Sequence, residues 1–283
     1  MKISDYSSLA RVVDPRYPTN LAILILSALT GGVLFLYCFY QTNDLQSSII
    51  AAVTVGLTVF LTWALGREID PENELSAFVG LALVIPGYWL LDTPNFLAIL
   101  SMLLLLRLLD RTTGYVPRFL DSIAILGLGA LLTIQGDWMF GLLTAAVFYL
   151  DSRLSAPKRE HIYFSGIMGA ISISTIIILK PPSPQFNIEL VEVLFVLCAI
   201  LLYIPLIAAS RKIDLACGFS DEKINPQRLQ TCQIFSLSAA IFVWLFNGRS
   251  GIPDLLPLWA AVFGVSLALL STSLFNRIRK HDR

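Results

Sequence analysis

The stretch NLAILILSALTGGVLFLYCFY, residues 20–40, runs for twenty-one residues without a charge, and its reading decides the fold. A helix rises about 1.5 Å per residue, so about 20 residues cross a hydrocarbon core of roughly 30 Å. The run exceeds the roughly 7–15 apolar residues of a cleavable signal. Tyr37-Cys38-Phe39-Tyr40 also offers no small-residue cleavage site, so this segment is expected to remain as an anchor.

Nine further apolar runs follow, at about 46–66, 75–91, 94–109, 119–135, 138–150, 163–179, 190–209, 231–247 and 255–275. Together the runs predict an all-α, polytopic helical integral membrane protein with about ten transmembrane helices. The first, second, eighth and tenth are amply long, the third to seventh are short, and Trp138–Leu150 leaves a re-entrant segment open. The expected organisation is an inner segment at 1–18, one membrane domain at 19–275 and a basic tail at 276–283.

Composition points the same way. The chain has 283 residues, 56% hydrophobic and 14% charged, with mean hydropathy +0.73. Soluble domains carry roughly 25% charged residues. Net charge is zero and no basic block exists, so the reading predicts no nucleic-acid partner. Cys38, Cys198, Cys217 and Cys232 show no CxxC spacing and read as reduced, small hydrophobes.

Cutting the chain at its runs sorts the bases. Lys2, Arg11, Arg16, Arg67, Arg107, Arg111, Arg118, Arg153, Lys158, Arg159, Arg211, Lys212, Lys223, Arg228 and the tail's Arg277, Arg279, Lys280 and Arg283 fall on one side. Only Lys180 and Arg249 fall on the other, so eighteen of twenty bases share a side. Basic residues stay in the cytoplasm, which predicts both termini inside a bacterial-type plasma (inner) membrane.

Small residues at four-residue spacing, Gly166, Ala170 and Ser174, predict close helix packing. Pro86-Gly87 reads as a kink or as a break in the third helix. Four sites repeat Arg-x-x-Asp: Arg11–Asp14, Arg67–Asp70, Arg107–Asp110 and Arg211–Asp214. On a helix i and i+3 share a face, so each arginine is expected to pair with its aspartate while ending the helix. Asp151-Ser-Arg153 is a looser relative.

Two of these sites hold more charge than a helix end requires. In Gly66–Glu74, Asp70 and Pro71 read as N-cap and N1 of the third helix, with Glu72 and Glu74 near its positive end. Capping does not account for Glu68. Farther on, Arg107 and Asp121 lie about a turn inside apolar runs, where an unpaired charge costs roughly 1–3 kcal/mol. Arg107–Asp121 or Arg111–Asp121 pairing would remove that cost. Short middle helices would then gather Arg67, Glu68, Asp70, Glu74, Arg107, Asp110, Arg111, Asp121 and Asp151 around a cytoplasm-facing recess; a ring of solvated caps is the alternative.

His161 reads as a loop residue and His281 as part of the tail, so no HExxH, Cys/His cluster or Ser–His–Asp set is expected within the membrane. No cofactor and no metal site is expected. Three functions remain: a transporter or channel for a small anionic solute, an enzyme acting on a phosphate-bearing lipid headgroup, and a non-catalytic assembly or scaffold subunit. The bilayer is the one partner common to all three.

Overall fold

Long uncharged runs with few helix breakers can satisfy their backbone in lipid only as helices, and helices are what the chain forms. A computed structural model describes residues 7–11, 13–91, 93–179, 189–218 and 222–281. Lys2, Arg283 and the Lys180 loop with its prolines lie outside the described residues. Among the described residues eleven α-helices follow in order: α1 Pro18–Thr42, α2 Leu45–Ile69, α3 Ser76–Leu90, α4 Phe96–Asp110, α5 Phe119–Ile134 and α6 Trp138–Asp151. Next come α7 His161–Leu179, α8 Leu190–Ala209, α9 Pro226–Asn247, the short α10 Gly251–Asp254, and α11 Leu256–His281. Among the described residues the only β pairing is an isolated bridge between Ala216 and Lys223.

Among the described residues six helices are long and apolar enough to cross a membrane: α1, α2, α7, α8, α9 and α11. The other four of the expected ten, α3 to α6, have 15, 15, 16 and 14 residues. At about 1.5 Å per residue they fall short of a full hydrocarbon core.

The chain divides into two compact units. One comprises Val13–Phe96 and Pro253–Arg283 and holds α1, α2, α3 and α11. Asn43 turns α1 into α2 with φ 52°, and Asp44 caps α2 by accepting from the Gln46 and Ser47 amides. Gly31 and Gly56 let these two helices touch, facing the Ala52 and Ser27 carbonyls. The tightest crossing is α3 on α11, where a methyl added to Gly264 would stand 2.3 Å from the Gly80 nitrogen. Leu21, Ile25, Leu29, Val33 and Leu36 of α1 stay exposed, as a lipid-facing surface requires.

The other unit comprises Met1–Val12 and Leu97–Ile252. In it α5, α6 and α7 pack through small polar contacts, Gly129 against Thr144 and Gly141 against Ser172 and Thr133. The row Gly166, Ala170, Ser174 behaves otherwise than its spacing predicts. All three are exposed, and α7 packs through Met168 and Ser172 on its opposite side.

One other local expectation is corrected, and the broken-helix alternative at Pro86 is removed. Asp70 is the C-cap of α2, and α3 starts only at Ser76, so Pro71 opens a turn and not a helix. Pro86 stays inside a continuous α3.

Candidate functional site

The densest polar site forms where α4 ends. Arg111 adopts φ 50°, a left-handed backbone that costs a residue with a Cβ about 1–2 kcal/mol. Local bonds hold the turn: Arg111 N donates to the Arg107 carbonyl at 3.3 Å, Gly114 N donates to the Arg111 carbonyl at 2.8 Å, and Asp110 Oδ1 accepts from Thr112 N at 3.1 Å. Arg111 is thereby brought to Asp151, the last residue of α6. Its Nη2 donates to Oδ1 at 2.6 Å and Oδ2 at 2.8 Å.

Asp151 is completely buried at a helix C-terminus, where the backbone dipole disfavours an anion. Three groups offset that cost. Besides Arg111, Arg228 Nη1 donates to Oδ1 at 2.9 Å, and His161 Nδ1 stands 2.7 Å from Oδ2. His161 opens α7 and is itself wholly buried; its Nε2 lies 2.9 Å from Ser122 Oγ on α5. A Ser122–His161–Asp151 array therefore exists where none was expected. Ser122 Oγ also donates to the Arg118 carbonyl at 3.1 Å, so its one hydrogen is not reserved for the imidazole. All three residues have no exposed surface, so a substrate bond has no route to the hydroxyl. The array works as internal bracing.

Arg228 sits in the first turn of α9, behind the Asn225 cap whose side chain accepts the Gln227 and Arg228 amides. A cation there opposes the helix dipole, and carbonyls of neighbouring segments compensate: Leu109 O, and Ser155 O twice. Each guanidinium has five N–H donors. Arg111 uses three, the third on the Ala156 carbonyl, and Arg228 uses four. Three donors remain, one of them the buried, unpartnered Arg111 Nε. Burial pulls the Arg111 pKa below its ordinary value, against the opposing pull of Asp151, and the group stays cationic.

Both arginines line one cavity of about 230 Å³. Asp110, Tyr115 and Cys217 share its wall, and exposed Glu222 and Lys223 stand at its edge. Lys223 Nζ is held by Asp214 at 2.5 Å.

The nine residues singled out by sequence divide between the two units. Asp110, Arg111 and Asp151 belong to this site. Arg107 and Asp121 line a second cavity of about 170 Å³ in the same unit, beside the N-terminal segment. Among the described residues no guanidinium pairs with Asp121. It accepts from Ser7 Oγ at 2.5 Å, Ser8 Oγ at 2.6 Å, and the Ser8 and Arg118 amides. Arg107 donates to the Leu9 carbonyl at 3.2 Å.

Arg67, Glu68, Asp70 and Glu74 lie in the other unit. Arg67 pairs with Glu74 at 3.2 Å and stacks on Trp63, with 5.6 Å to the ring centroid. Glu68 is fully buried, and Asp70 bonds Ser76 and the Asn73 amide. The expected i, i+3 pairs are replaced here and elsewhere, Asp214 taking Lys223 and Asp14 taking Arg16. Asp70 and Asp214 stand just beyond a helix end and Asp14 precedes α1, so none of the three shares a helical face with the arginine three residues before it.

Arg228, His161 and Ser122 escaped the sequence reading. The available signals were weak: a base just inside an apolar helix after Asn-Pro, and a histidine two residues before the seventh run. Among the described residues no three His, Cys, Asp or Glu side chains stand close enough to hold a metal ion.

Polar pairs continue along the α8–α9 seam. Gln233 Nε2 donates to Ser210 Oγ at 2.7 Å, Tyr203 Oη meets Ser236 Oγ at 3.0 Å, and Trp244 Nε1 donates to Glu192 Oε2 at 3.3 Å. Between the last two pairs Ala239, Ala240 and Val243 are fully buried.

Comparison with protein-family models, with curated proteins and with solved structures finds no match to this chain.

Proposed function

We propose that this multi-pass membrane protein is a small-solute transporter whose substrate site is the Arg111/Arg228 recess. The observation that carries the reading is the pair of buried guanidiniums that share one carboxylate oxygen in the wall of a cavity of about 230 Å³. Such donors form strong, charge-assisted bonds to a carboxylate or phosphate. The buried pairs from Arg228 to Trp244 support a path onward. The sixteen residue-to-residue steps from Arg228 to Trp244 along α9 rise about 24 Å. Polar groups facing a bundle interior mark solute paths, and Ala239, Ala240 and Val243 would form the closed gate.

The basic side is proposed to be cytoplasmic, with both termini inside a bacterial-type inner membrane and ten membrane-embedded helices. That sidedness does not depend on whether the short helices cross. α3 with α4, and α5 with α6, each leave the basic side and return to it. Six full spans and ten therefore give the same eighteen-to-two division of bases.

Counterflow into proteoliposomes with radiolabelled inorganic phosphate and L-alanine tests the reading. One of them should accumulate, and Arg228→Gln should reduce that uptake at least tenfold. Val116→Trp, at a half-exposed wall position outside the ion network, should reduce it too. Binding of a probe in detergent without any counterflow would overturn transport in favour of an interfacial enzyme.

A further inference from the structure

We infer that residues 7–11 are a releasable strap, seated by the charge of Asp121, that holds the Arg111 turn and with it the recess in its assembled form. The inference goes beyond what the recess binds and does not depend on it.

Residues 7–11 form no helix, yet they belong to the unit that contains Leu97–Ile252, while the chain from Val13 belongs to the other. One carboxylate seats them. As the third residue of α5, Asp121 accepts the Arg118 amide at 3.1 Å, the single bond that capping requires of it. Its other three bonds go to the strap: Ser7 Oγ on Oδ1, and Ser8 N and Ser8 Oγ on Oδ2. Leu9 is the one large apolar residue of the strap, and it is buried. Apolar burial therefore contributes a minor part of the hold, and charge-assisted bonds to a single anion contribute most of it. Such a seat gives way when that anion is opposed. A negative charge added at Ser7 or Ser8 would meet Asp121 at bonding distance and repel it.

The strap reaches the recess through two threonines. Thr113 Oγ1 donates to the Ser8 carbonyl at 3.1 Å, and Arg11 Nη2 donates to Thr112 Oγ1. Both threonines are buried and directly follow Arg111, whose left-handed backbone persists only where its surroundings hold it. The strap supplies two of those holds from 105 and 101 positions away. Ser8 and Arg11 are positioning residues. They do not line the recess, but the turn they clamp presents Arg111 to Asp151.

Hydrogen exchange on the purified full chain in detergent tests the strap. The reporters are the amides of Ser8, Leu9 and Ala10, held by Asp121 and Ser7 Oγ, and those of Thr112 and Gly114 in the turn. Ser8→Asp should make both sets exchange about tenfold faster. Ser8→Asp combined with Asp121→Asn removes the like charge and should return both sets toward wild type. If Ser8→Asp fails to fold, Ser7→Asp at the half-buried neighbour carries the same test. Strap amides that quicken while Thr112 and Gly114 keep their rates overturn the coupling. Strap rates unchanged by either single substitution overturn the strap itself, and a double variant as fast as Ser8→Asp overturns the seat on Asp121.

Uptake of phosphate or L-alanine separates this inference from the transport reading. A fall in Ser8→Asp that recovers in the double variant puts the recess under the strap's control, and uptake untouched by release overturns that control. Coupled exchange in a protein that takes up neither probe leaves the strap standing and overturns the transport reading alone.

Discussion

Arg111 and Arg228 both donate to one oxygen of Asp151, at 2.6 and 2.9 Å, although they are brought there by different segments. Arg111 hangs from the end of α4 and Arg228 from the start of α9, so this oxygen ties three helices at the basic end of one unit. Site and scaffold are consequently the same atoms.

Removing the shared anion should be severe. Asp151→Leu leaves two buried guanidiniums without a counter-ion, a loss of about 3–5 kcal/mol for a broken buried pair. Replacing Asp151, Arg111 and Arg228 together by Leu, Met and Met should restore much of the thermal stability in detergent, because an apolar substitute carries no unpaired charge. A triple variant less stable than Asp151→Leu would show that the network is not the source of the loss.

The Ser122 hydroxyl should be chemically silent. Ser122, His161 and Asp151 have no exposed surface, and two arginines already engage the aspartate. A fluorophosphonate probe should leave Ser122 unlabelled in the folded protein. Ser122→Ala should cost only about 1 kcal/mol, the worth of a modest hydrogen bond. Specific labelling of Ser122 would turn the bracing array into a nucleophilic one.

The α3–α11 crossing should reject a single methyl. Gly264→Ala drives a Cβ to 2.3 Å from the Gly80 nitrogen, which is backbone and cannot rotate away. Overpacking of this kind costs about 1–3 kcal/mol. Gly166→Ala, with open space around its Cβ, should leave the melting temperature unchanged or slightly higher. Equal effects at both positions would mean that this crossing is not a close one.

Two helix-end aspartates should show opposite pH dependence. Burial, the largest influence, pushes the Asp70 pKa up against the Ser76 hydroxyl and Asn73 amide, so its stability contribution is full below the ordinary range, near about 3.9, and lost as pH rises through the raised value. Asp70→Asn should therefore gain on wild type over that rise. The Ser47 side chain, then the Gln46 and Ser47 amides, hold the Asp44 pKa down, so its capping contribution is present above about 3.9 and lost as pH falls through the lowered value. Asp44→Asn should be the less stable protein at neutral pH and converge with wild type in acid. Melting temperatures across pH check both signs, and parallel curves would contradict them.

Hydropathy made a good part of the fold legible. The runs read at 190–209 and 119–135 return as helices Leu190–Ala209 and Phe119–Ile134, and the brevity of the middle helices was legible too. These properties are local: a continuous apolar run has one way to satisfy its backbone in lipid, and the run's length measures its reach. Which faces pack was less legible. The Gly166–Ala170–Ser174 row has the spacing of an interface yet is exposed, because spacing records what a helix permits and not which neighbour arrives.

The site depended on arrival. Asp151 was marked by sequence, but Arg153 stood nearer to it than Arg111, 40 positions away, or Arg228, 77 away. His161 and Ser122 are separated by 39 residues and carry no local signal of their pairing. What the sequence alone determined is the all-helical character of the chain and the presence of helices long and apolar enough to cross a membrane. Both follow from transferring single segments between water and hydrocarbon, a free energy that sums along the chain. Tertiary structure decided which charges neutralise one another and where donors are left over, because a buried charge is stabilised only by partners within a few ångströms, and those come from distant parts of the chain.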